Sequence, residues 1–122
     1  MDDVINLLLT ASPSKLPEKE YKIRRLSNET GGDVIFRLRA IPYNRVTEVR
    51  RIDEEEQSIH ILLAGIISPD LKNTDLLARF NAVTPAELLK ALLLPGEIDD
   101  LAMRVEQLSG YKSVVAEEVK KN

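Results

Sequence analysis

Apolar residues recur at helical spacing in two consecutive segments between Thr84 and Tyr111, the most regular hydrophobic pattern of the chain. The two stripes consist of Leu88, Leu89, Leu92 and Leu93, and then of Ile98, Leu101, Ala102, Val105 and Leu108. Stripes of this kind are typical of helices that bury one face. The pattern therefore predicts two packed helices, with Leu101 and Val105 among the buried residues.

Residues typical of helix ends support the first of these helices. Thr84 is expected to be its N-cap, Pro85 occupies the first helical position, and Glu87 completes a capping box. The Pro95-Gly96 pair predicts that the helix stops there and that the chain turns.

The second helix is predicted to begin after that turn. Asp99 and Asp100 are expected in its first turn, where negative charge suits the helix dipole. Gly110 is the expected C-cap glycine.

The N-terminal half contains the alternating pattern of strands. Glu20–Ser27 is interpreted as one strand and Asp33–Ile41 as a second, with SNETGG (27–32) as the turn between them. In the second strand Val34, Phe36, Leu38 and Ala40 face one way, while Arg37 and Arg39 face the other. An isolated hairpin is marginally stable in water, so this one must pack on the helices or pair with another copy.

Segment 58–67, SIHILLAGII, is compatible with a buried strand, because it is rich in isoleucine. Its residues Ile59, Leu62, Leu63 and Ile66 nevertheless follow the i, i+3, i+4, i+7 spacing of a helix. We predict a helix that Ser68-Pro69 ends.

Four shorter helices complete the prediction. They are a first helix carrying Val4 to Leu9, one from Asn44 as N-cap to Arg51, one starting at Thr74 or Asp75, and a last one from about Ser113 toward Lys120. The resulting fold class is α+β, as one domain over 1–122. An N-terminal β-hairpin (about 20–41) packs against a mainly helical C-terminal half (about 44–121).

Composition limits the function. The 122 residues suffice for one domain with a core, and no cysteine is present for disulfides or thiolate metal sites. The N-terminus lacks the pattern of a signal peptide, and no apolar run approaches the ~20 residues needed to span a bilayer. A cytoplasmic protein is expected.

Basic residues are concentrated between Lys19 and Arg51, which carries nine basic and four acidic residues although the whole chain has a net charge of −3. This segment is either a surface for RNA or another acidic partner, or a solvated strand and helix face. The second interpretation is favoured, because the arginines alternate with apolar residues and few aromatic residues lie among them.

Candidates for chemistry are isolated. His60 has no orienting partner or co-ligands at a suitable spacing, and the run Glu54–Glu56 lacks the glycine and alternating oxygen ligands of a calcium loop. Asp99 and Asp100 point about 100° apart on a helix, and Gly31-Gly32 is too short to cradle a phosphate. We expect no catalytic residue, no metal, no cofactor and no enzymatic activity.

Leucines exceed what the helical stripes can use. Leu7, Leu8 and Leu9 are too clustered for one stripe, and Leu93-Leu94 extends past the face of its helix. These five residues are predicted to form an apolar surface for a partner or for self-association. The alternatives are ordinary core packing for the leucines of segment 88–94, and packing of Leu7 to Leu9 on the domain itself. The edge of the hairpin is a second possible self-association surface.

Several motifs, in order and at fixed spacing, make this sequence similar to the XkdN-like phage tail assembly chaperones of contractile-tailed phages and prophages. They are Val4-Ile5-Asn6-Leu7-Leu8-Leu9, Leu38-Arg39-Ala40, Gly65-Ile66-Ile67-Ser68-Pro69-Asp70-Leu71, Thr84-Pro85-Ala86-Glu87-Leu88, Leu94-Pro95-Gly96-Glu97-Ile98 and Leu108-Ser109-Gly110-Tyr111. The resemblance covers nearly the whole chain.

This resemblance implies a non-enzymatic protein that coats the tape measure protein before the tail tube polymerises around it. Tube subunits then displace it, so it acts in the cytoplasm of the bacterial host and is absent from the finished virion. Its implied partners are the tape measure protein, the tail tube protein, further copies of itself, and a longer form made by ribosomal frameshifting. The end Lys120-Lys121-Asn122 can be encoded by the A-rich type of run on which ribosomes slip.

The alternative function is a small nucleic-acid-binding regulator that uses the Lys19 to Arg51 segment. Salt distinguishes the two, because binding to phosphates weakens steeply as salt rises and apolar binding does not.

Overall fold

The computed structural model describes residues 3–11, 15–111 and 114–120, and it confirms the α+β class. The elements in chain order are α1 (Asp3–Leu9), β1 (Glu18–Lys22), α2 (Arg24–Thr30), β2 (Ile35–Arg39), α3 (Tyr43–Arg50), α4 (Glu54–Gly65), β3 (Ile66–Ser68), α5 (Thr74–Arg79), α6 (Pro85–Leu92) and α7 (Pro95–Leu108). Strand residues are a minority in both halves of the chain, and most of the helical residues follow β2.

The three strands form one antiparallel sheet in the order β1-β2-β3. In the central strand Phe36 and Leu38 are buried, while Arg37 and Arg39 face outward, as the alternation predicts. Tyr21 lies opposite Phe36 in β1, and Ile66 lies opposite Leu38 in β3.

The predicted hairpin is wrong in its connection. β1 and β2 do pair, but the segment between them contains α2 where a longer first strand and a turn were predicted. Strand alternation ends at Ile23, and Ile23 and Leu26, one helical turn apart, are both buried. The buried Ser27 hydroxyl accepts a hydrogen bond from the Val34 N–H (2.9 Å), and Gly31 ends the helix at φ +79°.

The helix predicted over 58–67 is confirmed through Gly65, but Ile66 and Ile67 belong to β3. Close packing around the last residue of α4, Gly65, accounts for the glycine at this position. A Cβ atom on Gly65 would lie 2.5 Å from Val105 Cγ1 and 2.8 Å from the Arg39 carbonyl oxygen. α4 therefore meets α7 and β2 at a position where only glycine fits.

Several predicted helix boundaries need correction. α3 begins at Tyr43 with Pro42 as N-cap, so Asn44 lies inside it, and the N-cap of α5 is Asn73. Pro95 is the first residue of α7, which puts Glu97, rather than Asp99 and Asp100, in its first turn.

The last predicted helix is absent from the residues 114–120 that the structure describes, and Ser113 lies outside the described residues. Val114, Val115 and Val119 are strongly exposed there. This segment has no apolar stripe long enough to bury a helical face against the domain.

One hydrophobic core joins the inner face of β2 to α4, α6 and α7. Its most deeply buried side chains are Phe36, Leu38, Leu62, Leu88, Leu89 and Val105. The Ser109 hydroxyl, just after α7, accepts a hydrogen bond from the Ile41 N–H (2.8 Å) and donates one to the Val105 carbonyl (2.7 Å). The C-terminal end of α7 is thereby tied to the chain leaving β2.

The burial of Leu101 (3% exposed) leads to a first prediction. Leu101→Ala is expected to lower the free energy of unfolding by roughly 2–5 kcal/mol, because it removes a core side chain and leaves a cavity. Thermal or denaturant unfolding measures the change. An unaltered melting temperature would show that this face of α7 is not part of the core.

The close packing at Gly65 leads to a second prediction. Gly65→Ala is expected to destabilise the fold by about 1–3 kcal/mol, since the new methyl group would overlap Val105 and the Arg39 carbonyl. Gly96→Ala is the matched control, because no atom lies within 4 Å of its added Cβ, and alanine is the better helix former. Equal melting temperatures for Gly65→Ala and wild type would contradict this packing.

Candidate partner-binding surface

α1 is a short helix whose large side chains are nearly all apolar and exposed. The exposed fractions are 57% for Val4, 50% for Ile5, 69% for Leu7, 62% for Leu8 and 77% for Leu9, and α1 has no buried residue. Thr10 ends the helix by donating from its backbone N–H and its hydroxyl to the Leu7 carbonyl (3.0 and 2.6 Å). The structure thus places Leu7, Leu8 and Leu9 together on one exposed element, where a partner can reach them.

The other predicted pair is separated by the structure. Leu93 is 4% exposed and belongs to the core, whereas Leu94 is 52% exposed. Both residues have extended backbones between α6 and α7, so their side chains point in opposite directions. Leu93 is therefore corrected to a core residue, and Leu94 is the member of the pair that a partner can contact.

The α6–α7 corner that presents Leu94 is held by a partly buried ion pair between Arg25 and Glu97. Glu97 Oε1 accepts hydrogen bonds from the Leu94 N–H (2.7 Å) and from Arg25 Nη2 (2.9 Å). Arg25 Nη2 also donates to the Leu92 carbonyl oxygen at the end of α6 (2.9 Å). A side chain of α2 thus joins the end of one helix to the start of the next.

This contact shifts the pKa values of both charged side chains at the corner. The hydrogen bond from Arg25 lowers the pKa of Glu97 below its ordinary value of 4.5, and the Leu94 N–H acts in the same direction against the effect of burial. The same hydrogen bond raises the pKa of Arg25. Folding therefore favours the charged carboxylate.

A third prediction follows from the sign of that shift. Because the pKa of Glu97 is lower in the folded state, its charge stabilises the fold above about pH 4.5, and this contribution is lost as the pH falls through the folded-state pKa. Glu97→Gln should lower the melting temperature at neutral pH, and the difference from wild type should shrink in acid. Melting curves across the pH range measure it.

Asp100→Asn is the control, because the Asp100–Arg104 pair (3.2 Å) is about half exposed and should contribute little. If Glu97→Gln changed the neutral melting temperature no more than Asp100→Asn, the corner contact would not stabilise the fold.

The basic segment is mixed in charge once folded. On the outer face of the sheet Glu18 lies opposite Arg39 and Glu20 lies opposite Arg37, and Arg37 Nε is 3.6 Å from Glu18 Oε1. The further ion pairs of this segment among the described residues are Lys22–Asp33, Arg25–Glu29, Arg25–Glu97 and Arg45–Glu48, at 3.3, 3.7, 2.9 and 3.1 Å. Such pairing is what the solvated-face interpretation predicts.

The side chains considered for chemistry are dispersed. His60 is half-buried on α4, Glu56 pairs with Lys90 (3.1 Å), Asp99 is exposed, and Gly31 ends α2. Within the described ranges, no group of three or more His, Cys, Asp or Glu side chains is placed to hold a metal ion. Among the same residues, no helix is long and apolar enough to cross a membrane.

Sequence reasoning missed an apolar groove beside β3, here called the β3 groove. Its apolar lining is Leu63, Ile66, Ile67, Pro69, Pro85 and Ala86. These residues come from α4, β3 with the following loop, and the start of α6. No local pattern could reveal the groove, because its two walls are separated by the whole of α5.

Comparison with known proteins agrees with the resemblance seen in the motifs. A family model described as the phage XkdN-like tail assembly chaperone protein matches residues 5–121. Comparison with curated proteins gives no match. The crystal structure of the protein YqbN is similar with a TM-score of 0.69 at 19% identity, over 87% of this chain and 95% of that one, which supports the fold alone.

Proposed function

Because the chain belongs to the family of phage XkdN-like tail assembly chaperones, we propose that it binds and coats the tape measure protein and helps to recruit tail tube subunits. The role is one of assembly, without catalysis. Its place is the cytoplasm of the bacterial host, and it is displaced before the virion is finished.

The observation that carries this proposal is the exposure of α1. Five large apolar side chains, each at least half exposed, add nothing to the core and lower solubility, and such a cluster is typical of a surface that binds a partner. An apolar helix of this kind packs readily against a second helix or in a groove, and the tape measure protein is a long helical partner. Leu94 adds a second exposed apolar contact.

Weak individual contacts suit a coat that must later be removed. A seven-residue helix buries much less area than the roughly 1,200–2,000 Å² of a stable interface. Many copies along one tape measure protein nevertheless bind strongly together, because copies that are already bound raise the effective concentration of the next contact. Self-association of the chaperone through α1 would further increase this effect, and arriving tube subunits could still displace each copy.

The longer form of the protein is part of the same proposal. Residues 114–120 have no regular secondary structure and are exposed, so residues added beyond Asn122 by a frameshift would not disturb the core. A C-terminal extension could therefore contact the tail tube protein while the domain stays on the tape measure protein.

A fourth prediction tests the proposal. Leu8→Asp and Leu94→Asp, made singly, are expected to leave the fold intact and to reduce co-purification with the tape measure protein of the same tail at least tenfold. Each places a charge at an exposed apolar contact. Val115→Asp is the control, because Val115 is 77% exposed but lies outside both surfaces.

Circular dichroism checks the fold of each variant. If both variants stay folded and co-purify as the wild type does, the interface lies elsewhere. If the wild type ignores the tape measure protein and binds RNA with a steep salt dependence, the chaperone proposal is overturned in favour of a nucleic-acid regulator.

A further inference from the structure

We infer that α1 of one copy of this chain binds in the β3 groove of a second copy. This inference rests on the self-association proposed above and names the surface that receives α1. It starts from two features of one chain: a helix whose apolar side chains are uncovered, and an open groove lined by apolar side chains.

The apolar lining of the groove suits the apolar side chains of a short helix. Ile66 and Leu63 are half-buried within it, Ile67 is 39% exposed, and Ala86 stands at the start of α6 on the other side. Leu71, which is 5% exposed, also lines the groove. The α1 leucines would thus meet branched apolar side chains on one wall and a helix start on the other, which is the helix-in-groove mode of recognition.

Charge also fits. α1 begins with Asp3 and has no basic residue in its last turn. Arg45, His60 and Lys72 line the groove together with Asp70. Arg45 is paired with Glu48, but no carboxylate among the described residues lies within ion-pair distance of Lys72. Lys72 is therefore available to the acidic start of α1.

The groove of a chain is not filled by that chain's own helix. No residue of α1 lines the groove, and α1 has no buried residue. The groove and α1 are thus both uncovered on one chain, and a second copy supplies the helix for the groove and the groove for the helix.

The contact is heterologous, because the two surfaces involved are different. This property makes a complementation experiment possible. Leu8→Asp damages α1 and leaves the groove intact, and Ile67→Asp damages the groove and leaves α1 intact. Each variant alone is expected to be a monomer by light scattering. An equimolar mixture is expected to form a species of two chains and nothing larger, since one intact α1 and one intact groove remain.

Matched controls come from the chain itself. Ile35→Asp changes another strand isoleucine of nearly equal exposure (38%) outside the groove, and it should associate as the wild type does. Ala86→Glu is a second groove variant in case Ile67→Asp unfolds β3, because a negative charge is compatible with the first turn of α6.

Three outcomes overturn the inference: a monomeric wild type, groove variants that associate as the wild type does, or a mixture that stays monomeric. The tape measure protein is absent from every one of these measurements. A failed complementation alongside retained binding of the tape measure protein would therefore reject the groove and leave the proposed function intact.

Discussion

The packing of α4 against α7 and the central strand is the contact on which the rest of the fold depends. It is possible only because Gly65 has no side chain, so that Val105 and the Arg39 carbonyl can approach the backbone of α4. Protein interiors are packed as densely as organic crystals, so one added methyl group at this point would clash with its neighbours. The end of α4 at this glycine also directs the chain into β3, which completes the sheet.

The α6–α7 corner depends on a second contact, formed by a residue far away in sequence. Arg25 reaches from α2 to the last carbonyl of α6 and to the Glu97 carboxylate at the start of α7. Without α2 between the strands, neither group would have this partner. The insertion of a helix into the hairpin therefore has a structural role, since it positions the corner that exposes Leu94 and buries Leu93.

The division between buried and exposed leucines connects this fold to the function proposed for it. Leu88 and Leu89 of α6 and Leu101 of α7 are buried within one core, whereas the leucines of α1 remain exposed. A short exposed apolar helix would be a liability in a protein that acts alone, but it suits one that acts only in the company of partners. The chain belongs to the family of phage tail assembly chaperones, and the partner binding proposed above would use this helix.

The sequence by itself determined the elements whose signals are local. Sequence correctly predicted the two stripes of α6 and α7, the cap at Thr84 and the alternation through β2, because each depends on the spacing of neighbours in the chain. The cluster at Leu7 to Leu9 was also recognisable as a surplus of apolar residues, and so was the family.

Only the tertiary structure decided the rest. α2 was missed because its buried face is one turn long and its stability comes from contacts with the core and with Glu97. Whether Leu93 or Leu94 is buried depends on the direction of the extended backbone between two helices. The β3 groove exists only where segments that are distant in sequence meet. Such features arise from packing, which no periodicity along the chain records.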